Sequence, residues 1–378
     1  GGWYELGSPQ FDRVILNLSE GKEFVIETRN LSKENIYIQR VELNGTILDS
    51  FRISYSDIIK GGKLIFTMGP EPNTGDNQPN YQTRTEFGAR LEPKGQILSG
   101  AGQSAEAFEN YVQLLGETRL PAIYMLYAGL DTDPTAWLEE HKNIMDKYDW
   151  NLIPQLGLSM TKDGDPEKHY EQDVSDGLYD DNIQKLIDVL KKWDRPVFIR
   201  IGYEFNGHWN GYQPESYKKA FRYITNKFRK AGLEKVATVW CYGYDDQKNS
   251  PFMDYYPGDE YVDWWGIDLF KPEEFKNPEV LSYLDNSLKY KKPLMIGEST
   301  PRSVGVLDGF RSWNDWFEPY FHLMKRQPNV KAFCYINWNW AFYPQWSDWG
   351  DGRLEENDFV SQRFIKEMEH SIFRHGKK

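Results

Sequence analysis

The sequence is poor in cysteine, in positive charge and in long apolar runs. Only two cysteines, Cys241 and Cys334, occur in 378 residues. Both lie inside apolar, strand-like runs, so they read as buried free thiols and not as a disulfide framework. Lys and Arg total 45 against 57 Asp and Glu, a formal net charge of −12. That deficit argues against nucleic acid and anionic membrane surfaces as partners, because both require a basic footprint. Mean hydropathy is −0.70, and no apolar run approaches the roughly 20 residues that a spanning helix needs. The acid-rich stretches Asp245-Asp246 and Asp348–Asp351 match no metal-binding spacing. They read as solvated loop acids, and neither a metal nor a cofactor is expected. The opening residues GGWYEL carry no signal-peptide pattern.

Aromatic residues, in contrast, make up 16% of the chain, with 14 Trp and 24 Tyr. Many stand in Gly-, Asn- and Asp-rich surroundings such as YPQWSDWGDG, where core packing does not ask for them.

Two patterns divide the chain. Residues 1–72 alternate Ile-, Val-, Phe- and Tyr-rich runs (RVILNL, KEFVIETRN, NIYIQRVELNG, KLIFTMG) with turn signals at Gly21, Asn44-Gly45 and Gly61-Gly62. This predicts a small all-β, sandwich-like domain. A linker is expected at 73–84, within and after the Pro-, Asn- and Gly-rich PEPNTGDNQPN. From 85 to 378, eight strand-like runs alternate mostly with helical stretches. Ile183, Leu186, Ile187 and Leu190 share one helical face, and so do Tyr217, Phe221, Ile224 and Phe228 after Pro214. Only PFMDYYPGDE, between the fifth and sixth runs, reads as a long loop. Eight such repeats predict an α/β fold of the (β/α)8 TIM-barrel type. A doubly wound open sheet is the alternative, but GAGQS at Gly100–Ser104 lacks its full phosphate-turn fingerprint.

Chemistry in such barrels gathers at the C-terminal strand ends. Strand four ends in Tyr203-Glu204 followed by Asn206, His208 and Trp209. Strand five ends with Tyr242, strand six with Asp268, strand seven with Glu298, and strand eight with Trp338 and Trp340. Two carboxylates, Glu204 and Glu298, thus face one mouth. A pair of that kind suits glycosidic cleavage, one donating a proton to the leaving oxygen while the other attacks the anomeric carbon or activates water. The structural alternative for Glu204 is an ion pair with Arg200 of the same strand. Trp209, Trp338 and Trp340 suit stacking on sugar rings. Tyr203, Asn206, His208, Tyr242 and Asp268 are the polar candidates for substrate contact. Trp193 and Trp264 read as core.

The stretches RIGYEFNGHWNGY, WWGIDLF and PLMIGEST, in that order, resemble glycoside hydrolase family 26. The resemblance covers residues 85–378. It implies a retaining endo-β-glycanase on a (β/α)8 barrel, with Glu204 as acid/base and Glu298 as nucleophile. It further implies Trp209 as a substrate-contacting Trp and Asp268 as an acid near the sugar. Two positions depart from the family's mannanases. Tyr203 stands where a His usually precedes the acid, and Phe270 where a Tyr usually bonds the nucleophile. The YEF sequence looks more like the family's β-1,3-xylanases. The expected substrate is a β-linked hemicellulose, β-mannan first and β-1,3- or β-1,4-xylan second. An exo-acting enzyme, a mixed-linkage β-glucan hydrolase and a non-catalytic carbohydrate-binding protein are the alternatives. The N-terminal stretch is similar to the C-terminal β-rich segment of family 92 α-mannosidases, which there belongs to a scaffold; the resemblance implies no site residue and leaves a structural and a carbohydrate-binding role open for the module. Both resemblances imply a secreted, periplasmic or cell-surface protein of bacteria that degrade polysaccharides, with a polysaccharide or oligosaccharide as partner; a monomer is expected.

Overall fold

The computed structural model describes residues 3–48, 52–71, 84–162, 164–247 and 250–377. It divides into two compact units, Gly1–Thr83 and Arg84–Lys378. Apart from Arg84, the linker expected at 73–84 lies outside the described residues.

The N-terminal unit holds a five-stranded mixed sheet. Its strands follow the apolar runs closely, at Arg13–Asn17, Glu23–Arg29, Tyr37–Leu43 and Gly62–Gly69, with a short fifth at Thr46–Ile47. A two-stranded ribbon, Trp3–Glu5 with Arg52–Ser54, adds a second layer. Ile53 of the ribbon joins Phe24, Val41, Leu64, Phe66 and Met68 of the sheet in one apolar core.

The second unit is an eight-stranded parallel barrel. In chain order its strands are β1 (Ile97–Gly102), β2 (Ile123–Gly129), β3 (Ile153–Ser159), β4 (Val197–Ile201), β5 (Val236–Gly243), β6 (Trp264–Leu269), β7 (Leu294–Ser299) and β8 (Val330–Ile336). Each pairs with the next, and β8 pairs back onto β1 to close the barrel. All eight runs read from the sequence are strands, because a strand covered on both faces must be apolar on both. The two predicted helical faces are buried on helices Asp180–Trp193 and Pro214–Lys230. PFMDYYPGDE forms only a short 3-10 turn at Phe252–Tyr255. Phe373–Arg374 adds a short parallel strand against β1 that the sequence pattern did not indicate. Both cysteines are buried and free. Among the described residues no helix is long and apolar enough to cross a membrane.

The barrel interior begins as an apolar floor that includes Leu98, Ile123, Met125, Phe198, Val239 and Met295. Above that floor the filling turns polar, and the candidate site stands there.

Candidate active site

Strand β4 is VFIRI, an apolar strand with one cation in its interior. Because both faces are covered, Arg200 must point into the barrel or into the helix layer. It points inward and is completely buried. Its Nη1 donates to both oxygens of Asp268 at 3.2 and 3.0 Å, and its Nη2 donates to Glu298 Oε1 at 2.8 Å. Its Nε donates to Gln155 Oε1 at 3.1 Å, and Gln155 Nε2 donates onward to the Gly297 carbonyl at 2.8 Å. A register shift between Ile267 and Asp268 sets Asp268 of β6 opposite Glu298 of β7. Gly297 makes the assembly possible. A β-carbon there would lie 2.7 Å from Asp268 Oδ1 and 3.0 Å from the Arg200 side chain. Arg200 is therefore not the partner of Glu204 that chain proximity suggests. It joins Glu298 and Asp268 from neighbouring strands.

The sequence Tyr203-Glu204-Phe205 directs three side chains three ways. The Tyr203 ring covers the guanidinium, 4.9 Å from centroid to Cζ, and Tyr127 of β2 lies 5.6 Å from it. Such cation–π contacts hold a desolvated cation where water cannot. Phe205 is buried and stacks on Trp240 at 4.3 Å with the rings nearly parallel. Between them Glu204 takes a left-handed backbone, φ +50°. For a residue other than glycine this costs about 1–3 kcal/mol and persists only where neighbours impose it. Trp209 Nε1 donates to Glu204 Oε2 at 2.7 Å. Gly243 at the end of β5 leaves room for the Glu204 side chain to lie across it.

These surroundings set the proton's place. Burial, first of all, pushes the Glu204 carboxyl well above its ordinary 4.5; the nearby Asp268 and Glu298 push the same way, and the Trp209 hydrogen bond and Arg200 oppose. Burial likewise pushes Asp268 up to about 8 against the pull of Arg200. A carboxyl raised on folding binds its proton more tightly in the folded chain. Its contribution is full below 4.5 and is lost as pH rises through the raised value. Glu204→Gln cannot ionise, so its melting temperature should gain on the parent's between pH 5 and pH 8, by about 2–4 °C for each kcal/mol in a domain of this size. A melting difference that does not change with pH would contradict this.

The other sequence candidates divide. Trp338 is half-buried at the mouth and stacks on Tyr343 at 5.9 Å. His208 is on the surface of the same end, with Nδ1 held by Asp245. Asn206 has both ends of its amide committed to the Gly243 backbone, so it fastens the loop after β4 to β5. Asp268 is 1% exposed beneath Arg200, where it meets protein on every side. Asn206 and Asp268 are thus committed to protein partners and not open to substrate, and two further candidates are corrected. Tyr242 is fully buried outside the barrel wall, stacked on Tyr283 at 4.7 Å. It alternates with Cys241, which points inward to Asp268. Trp340 folds into the barrel core, 6% exposed, with Nε1 directed to Thr300. Asp245 and Asp351 are buried, not solvated. Asp245 accepts from the backbone and ring of His208, and Asp351 pairs with Arg353. The sequence offers Arg200 only as a partner of Glu204, and it singles out neither Gln155 nor Tyr127. The signal for Arg200 was a lone cation inside a strand apolar on both faces.

Residues 167–329 match Glycosyl hydrolase family 26. The β-1,3-xylanase TXYA of Vibrio sp is 29% identical over 322 residues, which are 76% of this chain and 68% of that enzyme. The barrel thus resembles glycosyl hydrolase family 26. A mannan endo-1,4-β-mannosidase of Bacillus subtilis is 28% identical over 189 residues, 41% of this chain and 50% of that enzyme. The solved family 26 β-mannanase of Bacteroides ovatus superposes with a TM-score of 0.54 at 16% identity, over 74% of this chain and 90% of that one, and so shares the fold. Residues 2–70 match the Glycosyl hydrolase family 92 catalytic domain. The chain is thus a glycoside hydrolase with a family 92-like segment ahead of its family 26-like barrel. In this setting Phe270 packs against Trp349 at 5.1 Å, and Arg200 supplies a hydrogen bond to Glu298 where a tyrosine hydroxyl is absent.

Proposed function

We propose that the chain is a retaining endo-β-glycanase acting outside the cytoplasm on β-1,3-xylan, with β-mannan as second choice. The observation that carries the mechanism is the contrast between its two carboxylates. Glu298 is ion-paired to a buried guanidinium, while burial and two neighbouring acids favour the neutral form of Glu204. A neutral acid and a charged nucleophile across one mouth are the starting state of double displacement. Glu204 protonates the glycosidic oxygen and Glu298 forms the glycosyl-enzyme. Glu204, now ionised, then takes a proton from the water that releases the product. The substrate order follows Tyr203 and Phe270, where the chain departs from the mannanase pattern, and the long match to a β-1,3-xylanase. It reverses the order expected from the family alone.

The test is reducing-sugar release and product sizing on β-1,3-xylan, β-1,4-xylan, mannan and mixed-linkage glucan. Several oligosaccharide sizes from β-1,3-xylan at early times, released with the β configuration at the new reducing end, are expected. Early release of a single small sugar would mean exo action. Binding to a polymer without turnover would mean a retired site.

Gly243→Ala gives a second expectation. Its β-carbon would lie 2.9 Å from Glu204 Oε1 and 3.0 Å from its Cγ. The proton donor must then shift, and a displacement near 1 Å costs on the order of 10²-fold in rate. Polymer turnover should fall about that far while the melting curve stays cooperative. Unchanged turnover would remove Glu204 from the reaction.

A further inference from the structure

We propose that the loops after β3, β4 and β5 form a sugar subsite on the leaving-group side of the cleft, organised by His169 and His208. The inference rests on the glycanase reading. A cavity of about 290 Å³ opens between these loops, lined by Glu167, His169, Gly207, His208, Gln213 and Tyr255 among others. This is near the small end of ligand sites, roughly 300–1,000 Å³, and suits a single sugar ring.

Both imidazoles are built in. His169 Nδ1 lies 2.8 Å from Glu171, which is completely buried and also accepts from the Gln213 backbone and the Ser216 hydroxyl. His208 Nδ1 lies 2.9 Å from Asp245, which is 3% exposed and also accepts from the His208 backbone. Each carboxylate holds the proton on Nδ1. It thereby fixes the ring, so that Nε2 is the nitrogen left to meet a ligand. Paired imidazoles backed by carboxylates also suit a transition metal. That occupant is disfavoured, because no group of three His, Cys, Asp or Glu placed to hold one forms among the described residues. What two fixed imidazoles and the carboxylate of Glu167 fit is an array of hydroxyl groups, which donate and accept alike and make up the edge of a sugar.

The side of the cleft follows from the acid. Gly207 lines the cavity, and its amide is bonded to the Glu204 carbonyl at 2.9 Å. The Trp209 indole, bonded to the Glu204 carboxyl, fills the space that a β-carbon on that same glycine would take. The cavity and the proton donor therefore share one loop. The donor acts on the leaving oxygen, so a sugar held by that loop belongs to the departing half of the substrate.

The test compares β-1,3-xylohexaose with 4-nitrophenyl β-1,3-xylobioside, whose phenol leaving group occupies no sugar subsite. His208→Ala and His169→Ala should each lose at least tenfold more kcat/KM on the hexaose than on the aryl glycoside. They should also move the cleavage position along the hexaose. Glu167→Ala, which uncovers no buried carboxylate, should move the same ratio in the same direction. Equal losses on both substrates would mean that the histidines only support the acid's loop, and no loss on either would mean that the cavity is not a subsite. Both results overturn the proposal. A parent enzyme inactive on both compounds and on their mannan counterparts would overturn the glycanase reading, and this inference with it.

Discussion

Glu298→Ala should lower polymer hydrolysis on the order of 10⁴-fold or more, the scale seen when a member of a covalent catalytic unit is deleted. The fold should survive. Arg200 keeps both oxygens of Asp268 and the Gln155 side chain, so the buried cation is not left bare. The space vacated by the carboxylate lies on the face of the sugar opposite the leaving group. Azide added with an aryl β-glycoside should enter there. It forms a bond to the anomeric carbon as the phenolate departs, which gives the α-glycosyl azide. The product's configuration, read by proton NMR, identifies Glu298 independently of the rate. A β-glycosyl azide would assign the variant residue the acid's role. A variant that keeps most of the parental rate would remove Glu298 from the chemistry.

The barrel was legible and the centre of its site was only half so. Strands β1–β8 are apolar on both faces and bounded by turn residues, which makes them easy to find. The same property hides which face each residue takes. Tyr242 and Cys241 are neighbours on a strand buried on both sides, and nothing local says which of them looks inward. That is why the sequence alone places Tyr242 at the mouth. Trp340 failed for a related reason: it stands beyond the end of β8, where an indole serves equally as a stacking platform or a core plug. Glu204 and Glu298 were legible because an acid ending an apolar strand is costly unless it has a use. Arg200 was visible as a cation, yet its partner was not. The nearest acid in sequence is Glu204, whereas the one it holds on β7 lies 98 positions away. The burial of Asp245 and Glu171 is set by how separate loops fold together, which leaves no periodic trace. The two acids that order the histidines therefore carried no signal in their own segments.

Arg200 is where the fold and the chemistry depend on one side chain. Three acids, Glu204, Asp268 and Glu298, act on one another around a single buried guanidinium. Removing one partner of a buried ion pair typically costs about 3–5 kcal/mol, because the other charge is left uncompensated. Arg200→Met strands two acids and should lower stability by at least that much, to the point where folding itself is threatened. Arg200→Lys is the sharper variant. It keeps the charge, but a single ammonium on a flexible stem cannot reproduce a planar fork that spans Asp268, Glu298 and Gln155. It also loses the flat stacking that Tyr203 and Tyr127 offer. The lysine enzyme should fold, with a lowered melting temperature. Its kcat should fall on the order of 10²-fold, the penalty for a nucleophile held about 1 Å out of line. KM should move far less, since Arg200 is wholly buried and meets no substrate. A fall in kcat with KM nearly constant would show that the guanidinium acts through the position of Glu298. A rise in KM at constant kcat would show that the cluster shapes only the binding surface, and the orienting role assigned to Arg200 would be wrong.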